Sequence, residues 1–134
     1  MVYLTRRVDF CASHRYRIDN LSEEENFNIF GKCSFIHGHG HNYILEVTVK
    51  GDIDPKTGMV INLTDLDALL KENVVEVMDH KFLNLDIEYF KEIIPTTENM
   101  VIFIWDSLKN LLEGCSLHRV RLYETPALFA DYYG

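Results

Sequence analysis

The stretch CSFIHGHGHNYILEVTVKG, residues 33–51, decides how the rest of the chain is read. Its second half alternates, with Tyr43, Leu45, Val47 and Val49 on one side and Glu46, Thr48 and Lys50 on the other. Period two with one apolar side predicts a half-buried β-strand. Its first half sets His37, His39 and His41 at alternate positions, separated only by glycines. In an extended segment, residues i and i+2 share a face, with Cα atoms about 6.5 to 7 Å apart. Two such imidazoles can lean onto one zinc ion, where Zn–N is about 2.0 to 2.1 Å. The motif by itself leaves open which two of the three bind. Gly38 and Gly40 let the backbone bend and place no side chain on the opposite face.

The upstream segment VYLTRRVDFCASH, residues 2–14, has the β-branched and aromatic content of a second strand. Val8, Phe10, Ala12 and His14 alternate onto one face of it, so His14 offers a further nitrogen from a neighbouring strand. Three histidines with an open fourth position are the pattern of catalytic rather than structural zinc. A lone histidine is ordinarily a surface or core residue. HxHxH on the lead-in to a strand, with a fourth histidine on another strand, departs from that default.

Further out, DNLSEEENFNIFG (19–31) reads as a loop with a helical turn. DIDPKTGMVIN (52–62) reads as a hairpin connection turning at Pro55 and Gly58, followed by a short return segment. LTDLDALLKENVVEVMDH (63–80) is an amphipathic helix with Thr64 as N-cap and Asp67 near capping-box spacing. Leu66, Leu69, Leu70, Val74, Val77 and Met78 form its apolar stripe. TTENMVIFIWDSLKNLLEG (96–114) is a second helix, capped by Thr96 or Thr97, with Gly114 near its C-terminal end. LHRVRLYE (117–124) and LFADYYG (128–134) finish the chain as strands broken at Pro126. Strand, strand, helix, helix, strand, strand predicts an α+β domain: a four-stranded antiparallel sheet with two helices on one face. Such a sheet has two open edges, and pairing them between subunits would cover them.

With 134 residues, one domain with one core is expected. A net charge of −8 argues against a nucleic-acid surface. Any phosphate site would have to be a local cluster of Lys and Arg working against that field. No apolar run approaches the roughly 18 residues of a membrane span, and MVYLTRRVDF lacks a signal-peptide core. A cytoplasmic protein with no membrane partner is expected. Three cysteines without paired spacing read as free thiols there, with Cys11 and Cys115 as small buried hydrophobes.

Six blocks of the sequence carry a family resemblance: FCASHRY, FGKCSFIHGHGHNY, DPKTGMVINLTDL, MDHKFLN, TTENMVIFIWD and VRLYET. In order and spacing they resemble 6-pyruvoyl-tetrahydropterin synthase, from about residue 8 to 133. The same superfamily includes 6-carboxytetrahydropterin synthase of queuosine biosynthesis. In the pyruvoyl branch a cysteine stands six residues before the first histidine of the ligand pair, and Asn-Tyr follows the pair. In the carboxy branch the cysteine stands four residues before. Cys33 is six residues before His39 and four before His37, so both spacings are met. The flanking GKC, NY and DPKTGMV favour the first register, with zinc on His14, His39 and His41 and His37 as an extra.

The resemblance implies a tunnelling fold, whose sheets join across subunits into a β-barrel. It also implies active sites between subunits and a homohexamer of two trimers. The implied activity is a zinc-dependent carbon–oxygen lyase of tetrahydrobiopterin-type biosynthesis. It converts 7,8-dihydroneopterin triphosphate to 6-pyruvoyl-tetrahydropterin with elimination of triphosphate. Cys33 is then the base, with a cationic neighbour expected to lower its pKa. His80 is a second acid–base group oriented by Asp79. Glu124 anchors the pterin ring by two charge-assisted hydrogen bonds, far along the substrate from the metal. Thr96, Thr97 and Glu98 form a second ring-binding block. Arg15, Arg17, Lys32 and Lys81 are candidates for the triphosphate. The alternative reading is the carboxy synthase. A non-catalytic, zinc-stabilised pterin-binding protein is the reading from a different class. Cys33, the Asp79–His80 pair and Glu124 together weigh against it, since binding alone needs only the glutamate.

Overall fold

The computed structural model describes residues 1–134. The two strands that flank the histidine motif are β1 (Val2–His14) and β2 (His39–Gly51). They pair antiparallel over their full length, from Val2 opposite Gly51 to His14 opposite His39. The rest of the sheet is β4 (Ser116–Thr125) beside β2, then β5 (Leu128–Tyr132) beside β4, both antiparallel. Pro126 and Ala127 make the turn between β4 and β5, as the sequence implied.

The sheet differs from the four-stranded expectation. A fifth strand, β3 (Lys81–Phe82), pairs parallel with β1, and the spatial order is β3-β1-β2-β4-β5. Two residues are too few to show periodicity. β3 exists because Asp79 and His80 tie the chain to the edge of β1. The Cys11 amide donates to Asp79 Oδ1 (2.9 Å), and the His80 amide donates to the Cys11 carbonyl (2.6 Å). His80 sits at φ +59 to make this turn, a conformation uncommon outside glycine.

The helices also depart in detail. α1 (Glu23–Phe30) is a full two turns, because Ser22 and Glu25 close a capping box. α2 (Leu63–Leu70) is capped by Asn62, whose Oδ1 accepts the Thr64 amide (3.0 Å), rather than by Thr64. The chain enters α2 directly from the 52–62 loop, with no return strand. α2 runs through a π turn (Lys71–Val75) into α3 (Glu76–Met78). Leu66, Leu70, Val74 and Met78 are all buried, four residues apart. On a regular α-helix that spacing drifts about 40° per step. The wider π turn takes the drift back, so one stripe faces the sheet throughout. α4 (Leu83–Asp86) and α5 (Tyr89–Glu92) are single turns. α6 (Thr97–Leu108) is capped by Thr96, which accepts the Asn99 amide (3.2 Å). It ends six residues before Gly114.

The core lies between the helices and one sheet face. Phe10 and Ala12 of β1, Tyr43, Leu45, Val47 and Val49 of β2, and Val120 and Leu122 of β4 meet Leu66, Leu70, Met100 and Ile104. Leu45 is fully buried, so Leu45→Ala should cost about 2 to 5 kcal/mol. The other face carries ion pairs, among them Arg121–Asp131 (2.6 Å) and Arg119–Glu46 (3.2 Å). Cys11 is exposed and Cys115 half-buried, so neither is the buried hydrophobe expected. The alternation of β1 that buries Phe10 and Ala12 turns Cys11 to the other face. No helix is long and apolar enough to cross a membrane.

Candidate metal centre and its surroundings

At one end of β1 and β2, the core-facing alternation continues past the apolar residues into polar ones. After Phe10 and Ala12 comes His14. Before Tyr43 come His41 and His39. His14 stands opposite His39, and Ala12 opposite His41, so all three imidazoles project to the same side. His14 and His39 meet through their Nε2 atoms at 3.2 Å. Glu124, near the end of β4, comes to the same place and sets Oε1 3.2 Å from His41 Nε2. One donor atom from each of His14, His39, His41 and Glu124 lies within 4.8 Å of every other, so the group is able to hold a metal ion.

His37 does not join them. The segment before His39 is not extended: it turns at Ile36 and His37 and passes Gly38 with φ +69. That turn leaves His37 exposed. Gly38 has no substitute here, because a Cβ would come within 2.6 Å of the His14 carbonyl oxygen. The glycine that lets the backbone pass over His14 also ends the alternation that would have aligned three histidines.

The donor set fits a metal on its own chemistry. Donors on one tetrahedral zinc lie about 3.3 Å apart when bonds are near 2.05 Å. Both close pairs in the cluster match that spacing. His14 Nδ1 sits 2.9 Å from the Pro95 carbonyl, which only an Nδ1–H satisfies. Its Nε2 is therefore the lone-pair nitrogen, oriented by its partner as metal-bound histidines are. Tyr43 Oη is also 3.1 Å from Nδ1. Burial pushes His14 down to about 4, with the neighbouring His39 and His41 acting the same way against the Pro95 carbonyl and Glu124. Burial, then His39, lowers His41 as well, while Glu124 opposes. Both are neutral at pH 7, the form that ligates. His41 Nε2 is buried and makes no hydrogen bond; its approach to Glu124 lacks the alignment for one.

Glu124 is not far from the metal group, as its expected role at the distant end of a substrate required. It touches it. Its other oxygen, Oε2, accepts from Thr97 Oγ1 (2.5 Å) and from Tyr16 Oη (3.3 Å). Thr97 is buried at the start of α6, whereas the Thr96 hydroxyl is spent on the helix cap. Glu98 is exposed in the first turn. Tyr16 was not singled out from the sequence. It stands two residues past His14 and packs edge-on against that ring at 4.9 Å. Burial, then Glu124, raises its phenol well above the ordinary tyrosine range, so it stays a proton donor.

Cys33 lies in a short 3₁₀ turn (Gly31–Ser34) after α1, half-buried, and its carbonyl accepts the Tyr16 amide (2.7 Å). Its thiol is raised by burial and then by Glu124. A lowering cationic neighbour was expected; the nearest charge of consequence is an anion. Asp79 and His80 are elsewhere. They sit at the β1–β3 edge, with His80 Nδ1 2.8 Å from Asp79 Oδ2 and the His80 side chain 82% exposed. Asp79 is held below the usual carboxylate range by the Cys11 amide and then His80. Arg15 and Arg17 line a cavity of about 560 Å³ together with Asn20, Asn84 and Lys91. Arg15 also donates to the Ile36 carbonyl (2.6 Å), and Arg17 to Glu23 and the Ser34 carbonyl. Lys32 and Lys81 are exposed and do not line that cavity.

A family profile described as 6-pyruvoyl tetrahydropterin synthase matches residues 3–134. The chain is 47% identical over 131 residues to the human 6-pyruvoyl tetrahydrobiopterin synthase, covering 98% of this chain and 90% of that protein. It is 30% identical over 149 residues to a 6-carboxy-5,6,7,8-tetrahydropterin synthase of Rickettsia conorii, covering 98% of this chain and 99% of that one. The solved 6-pyruvoyl tetrahydropterin synthase of Caenorhabditis elegans superposes with a TM-score of 0.93 at 37% identity, over 99% of this chain and 95% of that one. The chain belongs to the 6-pyruvoyl tetrahydropterin synthase family.

Proposed function

We propose that the protein is a zinc-dependent 6-pyruvoyl-tetrahydropterin synthase, one pterin synthase domain over residues 1–134. It would act in the cytoplasm on 7,8-dihydroneopterin triphosphate and eliminate triphosphate. The observation that carries this reading is the convergence of three histidine nitrogens beside Glu124, with Cys33 close enough for Glu124 to bear on its thiol. The set of three nitrogens and one oxygen suits zinc. When bound, zinc supplies electrophilic stabilisation of the negative charge that develops on the substrate's side chain.

The protein's own groups divide the remaining work. Glu124, steadied by Thr97 and Tyr16, grips the pterin ring. Backbone amides at the start of α6 are free to donate beside it. Cys33 takes the carbon-bound proton. Its raised pKa makes it a strong base once ionised, and a cation held by the His14, His39 and His41 group would favour that ionisation. His80, oriented by Asp79, is a second acid–base group. Its exposure on the edge of β1 supports an active site completed by a neighbouring subunit, within a barrel of trimers assembled as a hexamer. Arg15 and Arg17 are the better candidates for the triphosphate, as they line one cavity with Lys91.

The carboxy synthase reading drew on the four-residue spacing from Cys33 to His37, and His37 stands outside the metal group. Incubating zinc-loaded protein with 7,8-dihydroneopterin triphosphate, with products identified by mass, tests the proposal. 6-Pyruvoyl-tetrahydropterin plus triphosphate is the expected outcome. A 6-carboxy product with acetaldehyde would favour the second reading. Bound but unchanged substrate would leave a pterin-binding protein.

A further inference from the structure

Glu124 belongs to the donor cluster by position, and three observations bear on why. Its Oε1 is 3.2 Å from His41 Nε2, the spacing of two donors on one ion. His41 Nε2 is buried without a hydrogen-bond partner, so Oε1 is not there as its acceptor. Oε2 is tied back by Thr97 and Tyr16, which fixes Oε1 facing the three nitrogens. A carboxylate oxygen held facing three imidazole nitrogens, all within 4.8 Å of one another and with no hydrogen bond between it and His41, is placed as a metal ligand is.

We propose that Glu124 Oε1 is the fourth metal ligand of the substrate-free protein, and that the carboxylate gives up this position when it takes the pterin ring. This rests on the reading of the cluster as a zinc site and of Glu124 as the ring anchor. Gripping the 2-amino group and the adjacent ring N–H needs both oxygens turned to the ring, whereas here Oε1 faces the three nitrogens and Oε2 faces Thr97 and Tyr16, so the carboxylate must swing off the metal position to take the ring. The fourth position is therefore closed while the ring site is empty and opens as the ring arrives. The linkage is reciprocal: metal at the cluster weakens ring binding by as much as the ring weakens the Glu124–metal contact. The device keeps the ion from binding water or stray ligands between turnovers.

The test needs no turnover. Zinc affinity is measured by chelator competition in wild type, Glu124→Ala and Glu124→Gln, and the visible absorption of each cobalt(II)-substituted protein is recorded. Pterin lacking a C6 side chain is then titrated into the cobalt forms. Glu124→Ala should still bind one zinc, but at least about 10-fold more weakly, since even outer-shell partners of metal ligands are worth 10- to 100-fold. Its cobalt spectrum should differ from wild type as water replaces the carboxylate. The ring-only pterin should shift the wild-type spectrum and leave that of Glu124→Ala unmoved. Glu124→Gln keeps the side-chain volume and answers the same question if the alanine variant fails to fold. The pterin titration of wild type needs no variant. Affinities within about threefold of one another, well inside the range for lost ligand support, together with superimposable spectra would overturn the proposal and leave the zinc site standing. A wild-type protein that binds neither metal would sink the zinc-site reading, and the proposal with it.

Discussion

His14 and His39 are directly opposed residues of adjacent antiparallel strands, and their Nε2 atoms stand 3.2 Å apart. At that distance His14 Nε2 either accepts from a His39 Nε2–H or shares a cation with it, and only the shared cation also engages His41 and Glu124. His14→Ala, His39→Ala and His41→Ala should therefore each lose zinc on purification. His37→Ala should retain a near-stoichiometric amount, because His37 is exposed in the turn outside the cluster. Metal analysis of the four variants decides this. An empty site in His37→Ala alongside a filled one in His41→Ala would shift the ligand register by two residues.

Cys33→Ala should fold and hold zinc yet lose turnover by roughly 10²-fold or more, the scale of a missing general base. Cys11→Ala should stay within a few-fold of wild type. Cys11 meets Asp79 and His80 only through its backbone, which alanine preserves. Cys115→Ala should behave likewise. Steady-state rates at saturating zinc provide the comparison, and full activity in Cys33→Ala would remove the thiol from the mechanism.

Glu124→Gln loses the charge and the two-oxygen grip on the ring. Losing part of two charge-assisted hydrogen bonds should cost about 2 to 4 kcal/mol. That is about 30- to 1000-fold in kcat/KM, measured with zinc in excess so that metal occupancy is not limiting. Wild-type kcat/KM would mean that the ring is held elsewhere, with the exposed Glu98 the first alternative.

The separation of His80 from the metal group gives a subunit test. His80→Gln and Cys33→Ala should each be nearly inactive. If sites are shared, dissociating the two variants together and reassembling them should yield activity that neither has alone, because some sites combine an intact Cys33 with an intact His80. No recovery, with mixed oligomers verified by mass, would place both residues in one subunit's site.

Asp131 is held below the ordinary carboxylate range by its hydrogen bonds to Arg121, at 2.6 Å for each of two contacts. A depressed folded-state pKa stabilises the protein fully above the unfolded value, about 3.9. That contribution is lost as pH falls through the folded value. Asp131→Asn should therefore lower stability at pH 7 modestly, as partly exposed pairs do. It should also flatten the acid limb below about pH 4. Denaturant midpoints for both proteins between neutral and acid pH measure this. An unchanged acid limb would show the pair contributes nothing.

Local pattern was enough for the long elements and for the common facing of His14, His39 and His41. The thirteen-residue span of β1 and the facing of His14, His39 and His41 follow from period-two alternation. So does Tyr43 beneath them, because a strand carries its facing from apolar into polar residues without a break. β3, the π turn and the place of Glu124 had no such signal. β3 is two residues long and is set by the clamp of Asp79 and His80 on the Cys11 backbone, a contact 68 residues apart in sequence. The π turn answers the curvature of a stripe against a sheet, which appears only once sheet and helix are packed. Glu124 looked like a strand-end carboxylate. It meets His41 because β4 lies beside β2 in a particular register, and it is aimed by Thr97 and Tyr16 from two further segments. Spacing along the chain can align side chains on one strand, but contact between distant strands depends on how the sheet is assembled, and that sets which acid meets the histidines.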